Sequence, residues 1–81
     1  MKAKIFVTLK NGILDPQGRA IQQSLHTLGF STVEEVRIGK FMELELNETD
    51  PTAAANKIKA MCDKLLANTV IEDYQYEILE T

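Results

Sequence analysis

One histidine and one cysteine limit the chemistry this chain can perform. With His26 alone, neither a two-histidine zinc site nor a relay of several imidazoles can be assembled. His26 falls beside the apolar face of an expected helix, and no nucleophile stands at a matching spacing, so a structural or partner-facing role is expected. Cys62 follows Met61 within a helical apolar face spanning 58–65, where cysteine acts as a small buried hydrophobe. Its neighbour Asp63 opposes the electropositive setting that a reactive thiol needs, and a single cysteine permits no internal disulfide. Glu34, Glu35, Glu43, Glu45, Glu72 and Asp73 sit at strand spacing or in turns, which describes a solvated face and not a paired acid–base site. Gly12 and Gly18 have Asp15 between them and no following Lys-Ser/Thr, so no phosphate-cradling loop is encoded. Catalytic, cofactor and metal residues are therefore not expected.

Binding to nucleic acid is also disfavoured. Twelve acidic residues against nine basic ones give a net charge of −3, the wrong sign for neutralising phosphates. Phe6, Phe41, Lys4 and Arg37 resemble a base-stacking platform, but Glu43, Glu45 and Glu77 share their face. No apolar run reaches the ~18 residues of a membrane span, and the first residues lead into a strand pattern instead of a signal-peptide core. A soluble, cytoplasmic protein is expected. With 44% hydrophobic and 26% charged residues the chain should fold, and its 81 residues allow one domain over 1–81. A core of that size is marginal, and oligomerisation is a common remedy.

The elements follow from periodicity. Residues 2–10 alternate, with Ala3, Ile5, Val7 and Leu9 on one side. Asp15-Pro16 reads as an N-cap with proline at the first helical position. A helix over 16–28 then carries Ile21, Leu25 and Leu28 on one face, and Gly29 ends it. Val36 and Ile38 alternate with Glu35 and Arg37, Gly39-Lys40 signals a turn, and Met42, Leu44 and Leu46 alternate with Phe41, Glu43 and Glu45. Two antiparallel strands joined by a tight turn are expected there. Asp50-Pro51 repeats the cap, and helical spacing continues to Leu66 with Asn68 as terminator. Residues 70–79 close the chain as a strand with Tyr74, Tyr76 and Ile78 on one face.

The resulting order, βαββαβ, predicts an α+β ferredoxin-like split βαβ fold with an antiparallel sheet and two helices on one face. The other face is left bare, with Phe6 and Phe41 among charged residues. These two are self-association candidates, since a mixed apolar and charged face suits a symmetric oligomer. A second oddity is the loop from Lys10 to Arg19. Ile13 and Leu14 place large aliphatics in a surface connection, and Gly18 occupies a first helical turn at a cost of about 1 kcal/mol relative to alanine. Close backbone approach at Gly18 would account for it.

The loop run Val7-Thr8-Leu9-Lys10-Asn11-Gly12-Ile13-Leu14-Asp15-Pro16-Gln17-Gly18 closely resembles the signature of the PurS family, the small subunit of phosphoribosylformylglycinamidine (FGAM) synthase. Val36-Arg37-Ile38-Gly39-Lys40 resembles the family's hairpin, and the stretch from Met61 to Tyr74 resembles its C-terminal helix-to-strand passage. The resemblance covers essentially the whole chain. Thr69 departs from it, standing where the family often carries proline.

The resemblance implies a non-catalytic subunit of a glutamine-hydrolysing C–N ligase in de novo purine synthesis. It bridges an ATP-dependent synthetase subunit (PurL) and a glutaminase subunit (PurQ) and assists ammonia transfer between them. The complex uses ATP and Mg; this subunit holds neither. Homodimers or homotetramers are implied. Lys10, Asn11, Asp15, Pro16, Gly18, Arg37, Gly39 and Lys40 are the motif-matched candidates, with Asp15, Pro16 and Gly39 expected to serve the backbone and Lys10, Arg37 and Lys40 to make contacts. Two other classes share the element order. An ACT-like sensor would bind small molecules at subunit interfaces. An acylphosphatase-like enzyme would need a glycine-rich, arginine-bearing loop after the first strand, which Lys10-Asn11-Gly12-Ile13-Leu14 lacks.

Overall fold

Alternation in the first segment is realised as a central strand. The computed structural model describes residues 1–80, with β1 Lys2–Leu9, α1 Pro16–Thr27, β2 Gly39–Glu45, α2 Pro51–Met61 and β3 Glu72–Leu79. A π-helical turn, Cys62–Leu66, continues α2. β1 lies between β2 and β3 and pairs antiparallel with both, bringing Ile5 opposite Met42 and Tyr76. Because side chains alternate across the pleat, Ala3, Ile5 and Val7 all point to one face, where each is buried. α2 covers that face. Ala54, Ile58 and Cys62 recur every four residues and are fully buried, while Met42, Leu44, Tyr74, Tyr76 and Ile78 pack around the core from the flanking strands.

Both helices begin at the predicted caps. Asp15 accepts from Gly18 N at 2.9 Å and Asp50 from Thr52 N at 3.0 Å, each followed by proline at the first helical position. Gly29, at φ +100°, takes the left-handed conformation that ends α1. No helix among the described residues is long and apolar enough to cross a membrane.

The α+β, ferredoxin-like split class stands, with one correction to the expected βαββαβ order. The hairpin over 35–46 is not formed. Residues 33–38 join no ladder, and the chain passes from Ile38 directly into β2. Two contacts hold this geometry. Ile38 N donates to Asp15 Oδ2 at 2.8 Å, so the segment is bound to the start of α1 and not to β2. Gly39 lies so close to β1 that a Cβ would collide with the Val7 carbonyl oxygen. As a result the covered face carries α2, while α1 lies off the sheet and buries only Gly18. Residues 10–38 form an arm, helix out and irregular segment back. Along it Gln22 Nε2 donates to the Glu34 carbonyl at 2.7 Å and the His26 ring donates to the Val33 carbonyl at 2.6 Å.

Candidate functional site

The loop and the segment 36–40, distant in sequence, meet at Asp15. Asp15 is 7% exposed, and its carboxylate splits its two oxygens between Gly18 N, the helix cap, and Ile38 N, the returning chain. These two backbone bonds, that from Ile38 first, hold its carboxyl below the usual aspartate range, and the nearby Arg37 guanidinium adds to them. Gly18 lets the helix start press against the Val36 carbonyl; any side chain there would overlap it. The sequence showed a glycine that helix propensity does not explain. What it could not show was which backbone approaches it.

Around this joint the remaining motif residues assemble. Asn11-Gly12 forms a turn in which Gly12 takes φ +86° and Ile13 N bonds to the Lys10 carbonyl at 3.2 Å. That carbonyl also accepts from Arg37 Nη2 at 3.1 Å, tying the loop to the return segment. Lys10 Nζ lies 3.7 Å from Asp73 and Lys40 Nζ 3.9 Å from the largely covered Glu72, long pairs whose exposed lysines gain little stability from them and stay available to a partner. Asn11 and Pro16 are exposed. Asp15, Gly39 and Lys40 line a shallow cleft of about 210 Å³ with Val7, Leu9, Gln17, Ile38 and Glu72.

Phe6 and Phe41 lie apart from this joint. They are opposite each other in the β1–β2 register, on the face away from α2, with ring centroids 5.1 Å apart at 37°. Both remain exposed, Phe41 by 53%. An aromatic pair offered to solvent on a sheet face suits association and has no part in the core.

Chemical groups elsewhere are engaged structurally. Burial pushes the Cys62 thiol up, with Asp63 adding to it, so a thiolate is disfavoured. Tyr74 Oη donates to Asp63 at 3.0 Å, which raises the phenol. His26 braces the arm. Among the described residues no three His, Cys, Asp or Glu side chains are grouped to hold a metal. The arrangement is a rigid joint bearing exposed cations, plus an aromatic face: equipment for contact.

Comparison with known proteins agrees over the full length. The PurS family model, described as phosphoribosylformylglycinamidine (FGAM) synthase, matches residues 2–80. The PurS subunit of Bacillus subtilis is 52% identical over 79 residues, covering 98% of this chain and 93% of that protein. A crystal structure of B. subtilis PurS superposes with a TM-score of 0.87 and covers 98% of both chains. A chain in the structure of PurLQS from Thermotoga maritima, 31% identical, gives 0.86 and covers 96% of this chain and 95% of that one.

Proposed function

This chain belongs to the PurS family and is a subunit of FGAM synthase in purine biosynthesis, and from that premise we propose that it bridges the synthetase and glutaminase subunits and assists ammonia transfer between them. The observation that carries the proposal is the full-length match to a family with a member in a PurLQS structure. In this reading Asp15, Pro16, Gly18 and Gly39 shape the joint, while Lys10, Asn11, Arg37 and Lys40 present contacts to the larger subunits. The chain acts as one domain, in the cytoplasm, as a homodimer or homotetramer in which Phe6 and Phe41 contribute to self-association. The ACT-like sensing alternative is not favoured.

Reconstitution tests the bridge. With purified synthetase and glutaminase, glutamine-dependent FGAM formation is expected to need this chain, whereas formation from an added ammonium salt proceeds without it. Equal glutamine-dependent rates with and without the chain would refute the proposed role.

A further inference from the structure

Asn11 and Gly12 are the two central residues of an exposed turn closed by the 3.2 Å bond from Ile13 N to the Lys10 carbonyl. Gly12 takes φ +86°, as glycine does at the second central position of such turns, and a side chain there would meet only open space. Among the described residues neither Gly12 N nor the Asn11 side-chain amide has a hydrogen-bond partner. An unengaged main-chain N–H next to an unengaged carboxamide sets a nucleophile beside an electrophile. With no Cβ on the glycine, nothing shields the approach.

The other three asparagines are arranged differently. Asn56 precedes Lys57 inside α2, where the helix ladder holds the following N–H. The Asn68 side chain already accepts from Val70 N at 3.2 Å. Asn47 and Asn68 are followed by Glu48 and Thr69, whose side chains shield the nitrogen that would have to attack.

We propose that Asn11-Gly12 is a site of self-modification in the free subunit, converting Asn11 to aspartate or isoaspartate. The Gly12 N–H gives its proton to solvent base and the nitrogen bonds to Asn11 Cγ. The Cγ–Nδ2 bond breaks and Nδ2 leaves as ammonia, taking up a proton from solvent. One water then opens the cyclic imide. Cleavage of the bond from Gly12 N to Cγ gives aspartate, and cleavage of its bond to the main-chain carbonyl carbon gives isoaspartate. The balance is an amide and water in, a carboxylate and ammonium out, with nothing oxidised or reduced.

Either product adds a negative charge to the loop that carries Lys10 and is tied to Arg37. Isoaspartate also lengthens the main chain by one carbon within the turn whose Lys10 carbonyl holds Ile13 N and Arg37 Nη2. A charge of the wrong sign at the rim of a contact slows association. A subunit left unassembled therefore loses its fit to the larger subunits with age, a consequence that rests on the bridging role proposed above.

Ageing the full chain in mildly alkaline buffer, folded or unfolded in urea, tests the chemistry, with an acid quench, peptic mapping and mass spectrometry as the readout. The folded chain is expected to convert at Asn11 at a rate comparable to that in urea, gaining the mass difference between a hydroxyl and an amino group, while its Asn47, Asn56 and Asn68 persist. Persistence of Asn11 in the folded chain overturns the proposal, whatever happens in urea. Reconstitution with synthetase and glutaminase reads the consequence. Aged wild type is expected to lose glutamine-dependent FGAM formation in proportion to its converted fraction. Aged Asn11→Gln, whose longer side chain closes a ring far more slowly, is compared with its own unaged sample and shows no such loss. Full activity of converted wild type overturns the effect on assembly. An unaged wild type without influence on synthesis refutes the bridging role instead, and the mass change decides the modification by itself.

Discussion

Asp15 does at residue scale what a longer loop would do with many contacts. One carboxylate caps α1 and also fixes the return of the chain 23 residues later, so two orphan N–H groups share one acceptor side chain. Only half of this could be foreseen. The Asp-Pro pair announces a cap, but the second oxygen's partner is set by tertiary geometry that local spacing does not carry. The backbone bonds lower the Asp15 carboxyl in the folded state. A lowered folded value means that the unfolded chain binds the proton more readily, so the contribution is complete above the ordinary aspartate value of about 3.9. It is lost as pH falls through the folded value. Asp15→Asn keeps one capping oxygen and has no charge to titrate. Urea midpoints followed from neutral pH into acid should therefore fall less steeply for Asp15→Asn than for the wild type. Parallel curves would show that Asp15 makes no contribution to acid unfolding.

At the scale of elements, the arm inverts a helix rule. Glycine within an exposed helical turn normally costs up to about 1 kcal/mol relative to alanine, so Gly18→Ala should stabilise on propensity alone. Against that, the new methyl would overlap the Val36 carbonyl, a backbone atom held in place by Ile38 bonding to Asp15 two residues on. Overpacking of this kind costs about 1–3 kcal/mol and outweighs the gain, so denaturant unfolding should show Gly18→Ala less stable than wild type by about 1–2 kcal/mol. A stabilised variant would mean that the arm yields readily at this point. The same scale shows what was legible. β1, β3 and the start of both helices follow from period and caps, and the Phe6–Phe41 face from simple alternation. The hairpin expected over 35–46 did not, because Val36 and Ile38 alternating with Glu35 and Arg37 records that one side is meant to be covered. Alternation does not say which chain covers it. The apolar stripe Ile21, Leu25 and Leu28 is silent in the same way, since amphipathicity specifies a buried face and not its neighbour.

For the whole molecule, small size and extended shape have the same consequence. The fully buried side chains belong to one sheet face and α2, a core of modest volume for 81 residues, while the arm spends its apolar residues outside it. A chain built this way is stabilised most where a second copy is bound, and its unfolding must then release that copy. Stability should accordingly depend on concentration by mass action, which a self-contained monomer would not show. For a pair of chains unfolding together, a hundredfold rise in protein concentration is worth about 2.7 kcal/mol. Divided by the unfolding entropy of two chains of this length, that corresponds to an increase in Tm of about 8 °C. Calorimetric scans of the isolated chain across that range should show the rise. A Tm that stays constant for the wild type would mean that the exposed apolar residues of the arm stay open in the free subunit, and that whatever covers them belongs to the larger subunits of the synthase.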